Sequence, residues 1–222
     1  MKRLLFSLIL ALPLSAQARF DYQVRNDFFA GFAGNKEALA RAMKTCDDIL
    51  TREDDPHYAE ALVWHGAGTF FMSGQQFQAG DTTTGQQLWD KGLQEMDGAV
   101  KRAPENPGVR IPRGAVLLTA SHNVPPQMAP PLIQRGIEDF ESAMKLQEPV
   151  FEKLGAHPRG ELMLGLASGY ARTAQNQKAR SLFERIRQTL PGTPYAASAE
   201  KWLSTGSLTA RESGCLGCHT GK

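Results

Sequence analysis

Residues 160–191 read GELMLGLASGYARTAQNQKARSLFERIRQTLP. Apolar side chains recur through both halves at three- and four-residue steps, the period of an amphipathic helix. Leu166, Ala167 and Tyr170 fall on a first helix and Ala179, Phe183 and Ile186 on a second, and Pro191 closes the unit. The small residues Ala167 and Ala179 let the two helices approach closely. The larger Tyr170, Phe183 and Ile186 are left to fill space against a neighbour. Such a unit cannot bury its apolar face alone, so it calls for stacked copies on either side.

Working outward, breaks fall at Asp55-Pro56, Pro104-Glu105-Asn106-Pro107, His157-Pro158 and Pro191-Gly192, and strand-like alternation is nearly absent. Two weaker copies precede the first. In one, Leu62 and Gly66 face Gly92, Met96 and Ala99, and Pro104 ends the unit. In the other, Gly114 and Leu117 pair with Gly136, Phe140 and Ala143, ending near Pro149. Each carries extra residues that read as a long turn: Ser73–Gly85, rich in Gln, Gly and Thr, and Ser121–Pro131, with Pro125-Pro126 and Pro130-Pro131. Residues 20–54 form a more divergent pair with a short first helix and a second over Lys36–Leu50. Thr193–Leu203 reads as a capping helix opened by Pro194.

The helix–turn–helix unit at 160–191 resembles a tetratricopeptide repeat, whose period is about 34 residues. The resemblance implies an all-α array of about four antiparallel helix pairs with a capping helix, spanning 19–204. Stacked pairs of this kind share a core and leave a groove lined by first helices. Val63, Phe70, Ile111, Leu118 and Leu164 are expected on that groove. It suits a peptide or helix from a partner protein, or the chain's own terminus.

Residues 1–18 have the pattern of a cleaved signal peptide: Lys2 and Arg3, an apolar run from Leu4 to Leu14, then Ala16-Gln17-Ala18. That run falls short of the roughly 20 residues a membrane-spanning helix needs. Export to the periplasm or outside the cell is expected, with no membrane span after cleavage. Two of the 25 basic residues leave with the leader, so the remaining 23 balance the 23 acidic ones. No basic stripe interleaved with aromatics is present, which argues against a nucleic-acid partner.

The tail, 205–222, ends in Cys215-Leu216-Gly217-Cys218-His219 followed by three residues. Cys-x-x-Cys-His reads as a haem c attachment site. Two thiols three positions apart each add to one vinyl group of haem, and the next imidazole is held beneath the iron. The motif resembles that of c-type cytochromes. The resemblance implies that Cys215 and Cys218 bind haem covalently and that His219 is an axial ligand. A disulfide is the first alternative, although a thioredoxin-like Cys-x-x-Cys goes with a βαβ pattern that is absent here. Zinc is the second, although a structural site usually takes four ligands.

A cytochrome c domain normally wraps its haem in helices that follow the motif, and here none follow. The sixth ligand is therefore sought upstream. His122 and Met128 lead, because they lie in a Pro-rich loop able to project a side chain; His57, His65, His157 and Met72 rank behind them. Cys46 is left over and is expected to be buried among Met43, Ile49 and Leu50. Trp64, Trp89 and Trp202 read as packing residues. The chain is thus expected to be an exported mono-haem c-type cytochrome-like protein, an electron carrier or binding protein more than an enzyme. Its repeats would bind a redox partner. The other readings are a non-redox adaptor and a haem sensor or peroxidase-like enzyme with an open iron position.

Overall fold

A computed structural model describes residues 19–210, 212 and 213. Cys215, Cys218, His219 and residues 1–18, expected to be a signal peptide, lie outside the described residues. Among the described residues the chain is all-helical. α1 (Asp21–Phe32) and α2 (Lys36–Leu50) form a first pair, and α3 (Tyr58–Gln78) and α4 (Thr82–Arg102) a second. α5 (Pro107–Ala120) with α6 (Ala129–Gln147), and α7 (Ala156–Arg172) with α8 (Asn176–Thr189), complete four pairs. α9 (Pro194–Thr205) caps the array against α8. A 3-10 segment, Glu148–Lys153, joins α6 to α7.

Four helix starts, those of α2, α4, α5 and α9, are held by capping side chains. Asn35, Asp81 and Thr193 each accept a hydrogen bond from a backbone N–H three residues on, and Asn106 accepts one from Gly108 N. Pro107 and Pro194 occupy first-turn positions, where the missing N–H costs nothing.

The same register of small residues recurs in three pairs. A Cβ on Gly92 would stand 2.7 Å from Phe70 N and 2.8 Å from Gly66 O, so α3 and α4 touch backbone to backbone. Gly136 meets Leu118 at 2.7 Å and Gly114 O at 3.2 Å in the same sense. Ala167 and Ala179, both fully buried, hold the equivalent place between α7 and α8. Within pairs each helix packs on the next, while α1 also meets α3, α3 meets α5 and α5 meets α7, so the first helices form one layer. Arg113 ties the middle of the array together. Its guanidinium donates to both oxygens of the fully buried Asp139 on α6, at 2.6 and 2.7 Å, and to Asp97 on α4 at 2.9 Å. Arg110 and Arg135 add bonds to Asp139 and Asp97.

Three expectations are corrected. Ser73–Gly85 is not a long turn: it extends α3 and α4, leaving only Ala79–Asp81 between them, with Gly80 at φ +85°. Val63 does not line the concave face but is fully buried in the N-terminal core. Leu118 and Leu164 are also buried and reach only a small recess beside the groove.

Candidate functional site

The layer of first helices encloses a concave groove of about 1000 Å³. One wall is aromatic. Phe32 lies 4.8 Å from Phe71, Phe29 meets Trp64 edge-on at 6.2 Å, and Phe70 lies 4.3 Å from Trp89 (ring centroids). The lining also holds the aliphatic Ile111, Ala115, Val116 and Leu154, and Arg25, Glu60 and Glu161 add charge to it. Phe70 and Ile111 are therefore where the sequence places them. Two lining residues hold buried polar atoms with no hydrogen-bond partner, Trp64 Nε1 and Gln147 Oε1. Buried polar groups are nearly always paired, so each such atom asks for an explanation.

A recess of about 20 Å³ adjoins the groove and shares Ala115, Thr119 and Glu161 with it. His122, Arg172, Tyr195 and Ser213 also line it, as does Ser168, whose buried Oγ is unpaired. Arg172 donates to Leu118 O and Ser121 Oγ at 3.0 and 2.6 Å and to Ser121 O at 3.1 Å, so α7 fixes the end of α5 and the residue before His122. Burial, and then the charge of Arg172, hold His122 below the usual histidine range, which keeps its imidazole neutral near pH 7.

The tail comes back to this recess. Gly206, in the left-handed region at φ +74°, ends α9 and turns the chain. Leu208 packs on the C-terminal core. Lys201 Nζ donates to Glu212 Oε1 at 2.6 Å, and Thr209 donates to Glu212 Oε2 through both N and Oγ1, at 3.0 and 2.8 Å. Ser213 Oγ then lies 3.3 Å from His122 Nε2. The tail, read from sequence as a loose linker, is thus fastened through Ser213.

Of the two leading ligand candidates, His122 sits against the tail. Met128 sits at the start of α6, 38 % exposed, and lines neither cavity. His65 is buried between Glu95 and Asp47, at 2.8 and 3.3 Å. His57 stacks on Phe20, and His157 lines the groove with Nδ1 2.7 Å from Tyr195 OH. Met72 is partly buried at the edge of the N-terminal core. Cys46 is fully buried, and that burial raises its thiol pKa, with Asp47 and Glu95 adding to the rise.

The aromatic wall and the roles of Arg172 and Ser213 escaped the sequence reading. The clustered Phe28-Phe29, Phe32 and Phe70-Phe71 were a signal for the first, but helical spacing alone assigns such residues to the core. The groove lining is mostly apolar and aromatic, with Trp64 Nε1 as a buried donor that has no partner. Comparison with family models, with curated proteins and with solved structures gave no match to this chain.

Proposed function

We propose that this chain is an exported mono-haem c-type cytochrome-like protein: a tetratricopeptide-like scaffold that binds a redox partner and carries one covalent haem on its tail. Cys215 and Cys218 hold the haem as thioethers, and His219 is the axial ligand from the motif side. The haem supplies one-electron chemistry, and the protein sets where it sits, which groups face it and how far water is excluded.

The observation that carries this reading is Cys-x-x-Cys-His itself, joined to a body on which Ser213, two residues before the motif, is fastened against His122. The body supplies the enclosing surface that follows the motif in a cytochrome c domain. No helix among the described residues is long and apolar enough to cross a membrane.

The test is expression with its leader in a host that matures c-type cytochromes, followed by a peroxidase-type haem stain of the denatured protein. A stained band that disappears in Cys215→Ala and in Cys218→Ala is expected. An unstained wild-type band overturns the reading and leaves the adaptor with a tail disulfide.

A further inference from the structure

Independently of the tail and its haem, we infer that the concave groove binds a small apolar amine with a carbonyl beside its ammonium group, the chemistry of an aromatic amino acid or its amide. Glu60 receives the ammonium group, Trp64 Nε1 donates to the carbonyl, and the aromatic lining covers the apolar body.

Glu60 carries the argument. It lines the groove with its side chain only 20 % exposed. Its Oε1 accepts from the neutral amide of Asn106 at 3.0 Å, and His57 Nδ1 lies 3.7 Å from Oε2. Among the described residues no lysine or arginine pairs with it. The guanidinium groups on the lining, Arg19 and Arg25, face Asp21 instead, at 3.0 and 3.5 Å. A largely buried carboxylate is expected to have a cationic partner, and here the protein supplies no lysine or arginine. Residues 19–105 hold nine basic and fourteen acidic side chains, so the field of this half also draws cations in.

The wall beside Glu60 is shaped to leave room. A Cβ on Gly108 would stand 3.0 Å from Glu60 Oε1, in the space a ligand would use. Pro112, also on the lining, has no N–H for the carbonyl of Gly108 four residues before it, so that oxygen lacks the donor a helix normally gives it. Carboxylate and carbonyl are both acceptors, which an ammonium group satisfies with its several donors. Trp64 lies one turn along α3 from Glu60, on the same face. It is 7 % exposed, and its buried Nε1 has no partner. Indole Nε1 only donates, so the ligand must carry an acceptor close to its ammonium group. The indole face itself also attracts an organic cation. The volume of about 1000 Å³ falls at the top of the range for small-molecule sites.

The experiment is calorimetric titration of the purified full chain with phenylalaninamide, with phenethylamine, which lacks the carbonyl, and with phenylpropionamide, which lacks the ammonium group. Phenylalaninamide is expected to bind saturably, and the other two about tenfold more weakly, the loss expected for a hydrogen bond to a charged or buried group. Glu60→Gln, checked for folding by circular dichroism, is expected to weaken phenylalaninamide about tenfold and leave phenylpropionamide unchanged. Asp54→Asn removes an exposed acid outside the groove and is expected to keep wild-type affinity. Gly108→Ala supplies a second reading that helix propensity favours: its methyl crowds Glu60 and is expected to weaken phenylalaninamide as well. No binding of phenylalaninamide, equal binding of phenylpropionamide, or wild-type affinity in both Glu60→Gln and Gly108→Ala overturns the site. An equal loss in Asp54→Asn overturns the role of Glu60 in favour of the general field. Tighter binding of the peptide amide Phe-Ala-Ala-Ala than of phenylalaninamide assigns the groove to a peptide N-terminus and overturns the small ligand.

Discussion

Replacing Gly92 with Ala puts one methyl group into the closest helix–helix approach of the array. By propensity alone, Gly→Ala inside a helix such as α4 stabilises by about 1 kcal/mol. Here the new Cβ stands 2.7 Å from Phe70 N and 2.8 Å from Gly66 O. Both are backbone atoms of α3 and cannot rotate away. Ordinary contact begins near 3.4 Å, so the two 21-residue helices must part by about 0.7 Å. Overpacking of this kind costs about 1–3 kcal/mol, which offsets the propensity gain and leaves a net loss of up to about 2 kcal/mol. Gly74→Ala, in α3 of the same pair, is the control, because its Cβ would meet nothing within 4 Å and should gain up to about 1 kcal/mol. Urea unfolding followed by far-UV circular dichroism measures both. The account expects midpoints shifted in opposite directions. A Gly92→Ala midpoint at or above wild type refutes the reasoning, because backbone contact would then not set the spacing of the pair.

Three further outcomes follow from the same structure. Asp139→Asn leaves Arg113 and Arg110 with one charged partner fewer at a fully buried position and should cost about 3 kcal/mol in urea unfolding; a loss under about 1 kcal/mol would place this network with ordinary surface pairs. The bond from Lys201, with those from Thr209, lowers the Glu212 pKa to about 2. A depressed folded-state pKa means that this tether is present above the usual carboxylate range and is lost as pH falls through the folded value. The tail contact should therefore persist at pH 4 and release towards pH 2, as followed by carboxyl NMR titration, while Glu212→Gln should loosen it at pH 7. Burial keeps Cys46 protonated, so it should resist maleimide labelling at pH 7 in the folded chain and react fully in urea; fast labelling of folded protein would contradict its placement in the core.

The arrangement of helices was legible because small residues, apolar period and proline breaks coincide. Gly66 with Gly92 and Gly114 with Gly136 mark the close approaches, and Pro107 and Pro194 mark helix starts. Ser73–Gly85 misled for a local reason. Its Gln, Gly and Thr residues resemble a turn, yet Asp81 caps α4 and Gly85 gives room to the Phe77 ring at 2.7 Å, so the helices run on. The groove was half legible. Phe70 and Ile111 line it, but periodicity cannot separate a residue facing the concave surface from one between layers, and so Val63, Leu118 and Leu164 were misplaced. The meeting of Ser213 with His122 joins residues 91 positions apart, which no local pattern reveals.

Intact mass spectrometry of the denatured protein, purified after export by a cytochrome-maturing host, tests the central claim most directly. The account expects residues 19–222 plus one haem, retained through denaturation. The bare mass of those residues, or that mass less two hydrogens from a Cys215–Cys218 disulfide, would contradict it.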